Sequence, residues 1–238
     1  MIDLTPIFDK ILAHAQETPE RECCGFATVP KGKLRYHPCR NIAVSALEFQ
    51  IHPEDYIKAE ADGIVAVVHS HLHGSPEPSM ADRAGCEKSG LPWFIIALPT
   101  AAYKVITPEG YKAPLLGRTF TGGLLDCFAL AKDYFASIGI DVPEFEREPD
   151  WWEDPDTNLL IPENFAKAGF RILPSESLMP DDVIVMQNGV TAKANHIGVY
   201  LGDGVFLHHS KDRLSCRQPY GGYWQKNTSC ILRHESRC

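Results

Sequence analysis

The sequence predicts two consecutive domains, an α/β unit followed by an α+β unit. Three observations lead there. The N-terminal part orders as helix, strand, strand, strand, helix, strand, with continuous apolar runs at its centre. A stretch at 107–114 carrying Pro108, Gly110 and Pro114 then breaks the pattern. Beyond it, one helix precedes a β-rich half. The chain has 238 residues, enough for two domains of roughly 110–125 residues each. The boundary falls between residues 1–112 and 113–238.

Thr5-Pro6 is a cap followed by proline at the first helical position. Ile7, Phe8, Ile11, Leu12 and Ala15 recur at helical spacing up to Gln16-Glu17. Residues 25–29 read as a strand, 30–33 as a turn and 34–36 as its return strand. Ile64, Val65, Ala66, Val67 and Val68 form an unbroken apolar run, the mark of a strand buried on both faces. Ser79 caps a helix over 80–89, and Gly90 ends it. Residues 93–98 are a second buried strand and 103–106 an edge strand.

In the second domain, 126–138 is a helix closed by Gly139. The acidic stretch 141–157, with three prolines and Trp151-Trp152, is a loop. A short helix spans 162–168. Strands follow at 183–186, 197–201 and 205–208, and Ile231-Leu232 adds a last one. Gly202-Asp203-Gly204 is a hairpin turn between two of them.

Hydrophobic content is 44% and charged content 23%, which suits an ordinary globular protein. No apolar run reaches the roughly 20 residues that span a bilayer. The N-terminus has no basic region followed by an apolar core, so no signal peptide is expected and the chain should fold in the cytoplasm. A net charge of −8, without a Lys/Arg cluster, argues against a nucleic-acid partner. The eight cysteines include adjacent Cys23-Cys24 and no C-x-x-C, so free thiols are expected. Cys216, Cys230 and Cys238 could pair in an oxidising medium.

Two residue sets carry chemistry. A catalytic zinc wants three protein ligands and an open position. His69 and His71 lie two apart at a strand end and so point to one face. Asp82, on the first turn of the next helix, can return a carboxylate to that face. Glu22 is the candidate base, and Ser79 can donate to an oxyanion. His73 continues the alternation as a rival ligand, though a solvated loop histidine is the simpler reading.

The second set opens with Cys127 at a helix start, where the dipole and free amides favour a thiolate. His196 and His208 offer a base and a group to orient it. His209 competes with His208, and the hairpin decides. A strict two-residue loop would pair Gly202 with Val205 and put His209 on the face of His196. A longer loop or a bulge would put His208 there.

His69, His71, Ser79 and Asp82, with Glu22 upstream in Glu-Cys-Cys-Gly, resemble the JAMM (JAB/MPN-like) metallopeptidase motif. The resemblance implies a Zn2+ ion on His69, His71 and Asp82, with Glu22 activating water and Ser79 stabilising the transition state. Leu72 stands where that motif commonly has proline. Asp126-Cys127, the segment 196–202 and His208 resemble the NlpC-type cysteine peptidases, a papain-like family that cuts cell-wall peptides. Cys127 would be nucleophile, His196 base and His208 the orienting residue, a spacing that favours His208 over His209. Asp181 stands where that family usually has glycine, and Phe120 where it often has a tyrosine that helps frame the oxyanion site.

The tandem resembles the phage tail assembly protein K family. It implies a protein of the tail tip, with other tail-tip proteins and bacterial peptidoglycan as partners. Such a chain would reside in the host cytoplasm during assembly and at the tail tip in the virion. The competing expectations are a structural tail-tip component retaining peptidase folds, and an enzyme acting on ubiquitin-like sulfur carriers through the first site alone.

Overall fold

In a computed structural model, the structure describes residues 3–148, 151–153, 159–174, 177–189 and 193–237. Part of the 141–157 loop and Cys238 therefore lie outside the described residues. The chain divides into two compact units, Met1–Lys112 and Ala113–Cys238. Their architectures are the α/β and α+β classes read from the sequence.

The first unit starts with a 3-10 turn at Thr5–Ile7 and helix α1, Phe8–Glu17. Strands β1 (Cys24–Thr28) and β2 (Arg35–Cys39) form an antiparallel pair. Helix α2 (Pro53–Ala61) follows, capped by the His52 side chain, which accepts from the Glu54 amide. Apolar periodicity does not signal this helix, because among its residues only Asp55 and Ala59 are buried. Then come β3 (Ile64–His71), α3 (Met80–Ser89), β4 (Trp93–Ala97) and β5 (Tyr103–Ile106).

The sheet order is β2-β1-β3-β4-β5, with β3 and β4 parallel and the other neighbours antiparallel. Alternate residues serve two cores. Ala66 and Val68 of β3 meet Ile7, Ile11 and Ala15 of the N-terminal helical segment. Val67 meets Ala59, Cys86 and Trp93 on the opposite face. Both faces being covered explains the unbroken apolar run of β3. Gly85 of α3 has no room for a side chain: a Cβ there would sit 2.4 Å from the Trp93 ring.

The second unit contains α4 (Cys127–Ser137), a 3-10 turn at Trp151–Glu153, α5 (Pro162–Lys167) and β6 (Phe170–Leu173). It continues with β7 (Val183–Met186), β8 (His196–Gly202), β9 (Val205–His208) and β10 (Cys216–Pro219). A single turn, α6 (Tyr223–Lys226), leads to β11 (Thr228–His234). The sheet runs β10-β9-β8-β7-β11-β6, all antiparallel. Helix α4 lays Ala131 and Phe135 on Val183, Val185, Ile197 and Val199. The opposite face packs Ile184, Met186 and Phe206 with Tyr200, Tyr220 and Trp224. Strand β10 escapes pattern reading because it is a wholly exposed edge with no apolar alternation.

Asp181, where a glycine was expected, adopts φ 73°, a left-handed conformation that glycine takes freely and Asp tolerates. Its carboxylate accepts from Tyr134 Oη at 2.5 Å and pairs with Arg237.

Two candidate active sites

The first site grows from the end of β3 and the start of α3. His69 and His71 project to the α3 side of the sheet. Ser79 caps α3 in a capping box: its Oγ accepts from the Asp82 amide at 3.1 Å, and Asp82 Oδ2 accepts from the Ser79 amide at 2.7 Å. This box is what turns Asp82 toward the histidines. Asp82 Oδ1 lies 3.1 Å from His69 Nε2, Asp82 Oδ2 lies 3.2 Å from His71 Nε2, and the two Nε2 atoms are 3.2 Å apart.

Those spacings fit a metal. Ligands at about 2.0–2.1 Å from a tetrahedral zinc are separated by roughly 3.3 Å. His71 Nδ1 donates to the Ser75 carbonyl at 3.0 Å, so that a neutral His71 would offer its Nε2 lone pair to a metal. Phe49 stacks on His69 at 4.7 Å and Trp93 meets it edge-on at 5.5 Å, so the ring is fixed from two sides. Neither aromatic was foreseen as part of the site; only the fold brings Phe49 there. His73 is exposed and outside the cluster of three.

Glu22 is buried beside them. Its amide donates to the Ala46 carbonyl and its carbonyl accepts from the Asn41 side chain. Burial pushes its carboxyl up to about 8, with His71 pulling it back and Asp82 adding to the rise. Burial opposes ionisation of Asp82 as well, but the two imidazoles hold its carboxyl far below the usual range. Ser79 Oγ accepts within the cap and keeps its own hydrogen available to donate.

The second site lies at the start of α4. Asp126 is the cap: Oδ1 accepts from the Ala129 amide at 2.9 Å. The same carboxylate takes a two-pronged ion pair from Arg147, at 2.7 and 2.8 Å, with both side chains buried. Arg147 also covers the Phe128 ring at 4.5 Å. Cys127 and His196 line one cavity of about 210 Å³, with Phe128, Phe145, Trp151 and Trp152 among its walls.

The hairpin resolves the choice between the two later histidines. Gly202 does pair with Val205, yet a bulge between Tyr200 and Gly202 shifts the register, so Gly198 opposes His208. His196 and His208 thus share a face, and His196 Nε2 lies 3.0 Å from His208 Nδ1. His209 points elsewhere, fully buried and edge-on to Phe120 at 5.2 Å. Phe120 offers no hydrogen to an oxyanion.

One expectation is reversed. The helix start was expected to lower the Cys127 thiol. Instead burial and the adjacent Asp126 carboxylate push it up to about 12, against weaker pulls from the Ile197 and Phe128 amides. Burial likewise holds His196 down to about 3, with His208 and His209 adding to the effect. Both shifts favour a neutral thiol and a neutral imidazole in the resting site.

Known proteins match both halves. Residues 4–106 match the prokaryotic homologs of the JAB domain, and residues 116–233 match the NlpC/P60 family. The tail tip assembly protein K of Escherichia phage N15 is 38% identical over 233 residues, 95% of this chain and 93% of that protein. The chain belongs to the tail tip assembly protein K family. The member from Escherichia phage lambda is 38% identical over 185 residues, 77% of this chain and 89% of that protein. An NlpC/P60 family protein from Bacillus cereus aligns over 94% of this chain and 66% of its own, at 12% identity and a TM-score of 0.35. The chain is therefore a phage tail assembly protein with JAB-like and NlpC/P60 peptidase-family domains. No helix among the described residues is long and apolar enough to cross a membrane.

Proposed function

We propose that this protein is a bifunctional peptidase of the tail tip. The C-terminal unit hydrolyses peptidoglycan stem peptides at or near the D-glutamyl–diaminopimelate bond. Cys127 attacks the carbonyl carbon while its proton passes to His196, and His208 orients that ring. His196 then gives the proton to the departing amine, and water releases the acyl group from sulfur. The N-terminal unit hydrolyses a peptide or isopeptide bond. His69, His71 and Asp82 would hold a zinc ion, which when bound supplies Lewis acidity to water and to the scissile carbonyl. Glu22, in its ionised form, takes the proton from water, and Ser79 donates to the carbonyl oxygen as charge builds on it. The partners on this reading are other tail-tip proteins and peptidoglycan. The protein works in the host cytoplasm during assembly and at the tail tip in the virion.

The observations that support the reading are the His69–His71–Asp82 cluster in one unit and, in the other, the His196–His208 contact beside a cavity that Cys127 and His196 both line. The experiment is turnover of purified muropeptides, run with a chelator and with thiol alkylation separately. Alkylation, Cys127→Ala and His196→Ala should each abolish cleavage, while the chelator should not. Cleavage that survives Cys127→Ala and stops with chelator would assign the wall activity to the first site. Phe120 and the neutral thiol favour one second reading, a structural tail-tip component; absence of turnover on any muropeptide would establish it.

A further inference from the structure

The histidine pair is polarised by a residue that no motif supplies. His208 engages both ring nitrogens. Its Nδ1 lies 3.0 Å from His196 Nε2, and its Nε2 lies 2.8 Å from Gln218 Oε1. Gln218 sits on the exposed edge strand β10, opposite Phe206. An amide oxygen only accepts, so the proton of His208 belongs on Nε2. Burial holds His208 below its ordinary pKa, so the ring is neutral and carries one proton.

With Nε2 protonated, His208 Nδ1 is a lone pair. The hydrogen in the 3.0 Å contact must then come from His196 Nε2. His196 is also neutral, so its Nδ1 is left bare, and that is the nitrogen able to take a thiol proton. The opposite tautomer of His208 would donate from Nδ1 to His196 Nε2. The His196 proton would then sit on Nδ1, and the ring could not act as base through that atom.

We propose that Gln218 is a positioning residue of the cysteine site: its side-chain oxygen fixes the His208 tautomer and thereby leaves His196 Nδ1 free to accept a proton. This rests on the reading of Cys127 as nucleophile and His196 as base. Other neighbours of His208 agree. Ser210 Oγ, 3.4 Å from Nδ1, can donate to the same lone pair. Cys216 Sγ, 3.7 Å from Nε2, is a second, weaker acceptor for the same proton. Phe206 stacks on the His208 ring at 4.3 Å and Trp224 meets it edge-on at 4.8 Å, which fixes its plane.

The test is nitrogen-15 NMR of the imidazoles in the full chain at pH 8, for wild type, Gln218→Leu and Gln218→Glu. Wild type should show a protonated Nε2 on both His196 and His208. Gln218→Leu removes the acceptor and should raise the Nδ1-protonated form of both rings; Gln218→Glu keeps an acceptor and should preserve the wild-type pattern. Alkylation of Cys127 by iodoacetamide should slow about tenfold in Gln218→Leu, a fraction of what a general base contributes, and recover in Gln218→Glu. A wild-type His208 protonated on Nδ1, or tautomers and alkylation unmoved in Gln218→Leu, overturns the proposal. Neither readout needs peptide turnover. If the tautomers behave as stated and no muropeptide is cut, the peptidase reading fails and the positioning role stands. If muropeptides are cut and the tautomers do not move, the reverse holds.

Discussion

Acidification from pH 7 to pH 5 should destabilise the second unit through its buried histidines. His196 is 3% exposed, packs against Trp224, and has its pKa held down to about 3. In the unfolded chain it returns to about 6.5. Below that value the unfolded state binds a proton that the folded state refuses, so stability falls as pH falls. The stabilisation is complete above about 6.5 and drains away toward the folded value near 3. At pH 5 the loss from this one ring is about 2 kcal/mol, from RT ln(1 + 10^1.5). His208 and His209 are lowered too and add losses of the same sign. The window lies above the ordinary range of carboxylates, which isolates the imidazoles. The assay is urea unfolding of residues 113–238, followed by tryptophan fluorescence at each pH. His196→Gln should flatten the profile in part. Stability that is level or rises from pH 7 to pH 5 would refute the reasoning, because it would mean that the resting pair is a thiolate and an imidazolium.

Four further outcomes are expected. Arg147→Met leaves the Asp126 carboxylate buried without its partner and should cost about 3–5 kcal/mol of stability by urea unfolding; adding Asp126→Asn should restore part of it. Gly85→Ala places a Cβ 2.4 Å from the Trp93 ring that flanks His69, so it should cost about 1–3 kcal/mol and lower bound zinc in metal analysis. His209→Ala empties a fully buried position and should lower unfolding stability by about 1–3 kcal/mol, with the His196 and His208 imidazole NMR signals little changed. Chains ending at Lys112 and starting at Ala113 should each unfold cooperatively, because each unit has its own cores; aggregation of each half alone would show a shared core.

The sequence by itself determined the two-unit order and most of the elements, and it named both candidate residue sets. Strong local signals sufficed. The unbroken run of β3 follows from burial on both faces, and Ser79 and Gly90 bracket α3 because capping is a property of adjacent residues. His69 and His71 share a face by strand parity alone. What spans distant positions needed the tertiary structure. The bulge at Tyr200–Gly202 chose His208 over His209, since a one-residue slip reverses every side chain beyond it. Phe49 on His69, Arg147 on Asp126 and Gln218 on His208 are contacts between different segments, made from stretches with no periodicity of their own. The protonation of Cys127 was decided there as well. A helix start lowers a thiol, but burial and the Asp126 carboxylate raise it further, and burial exists only once the chain has folded.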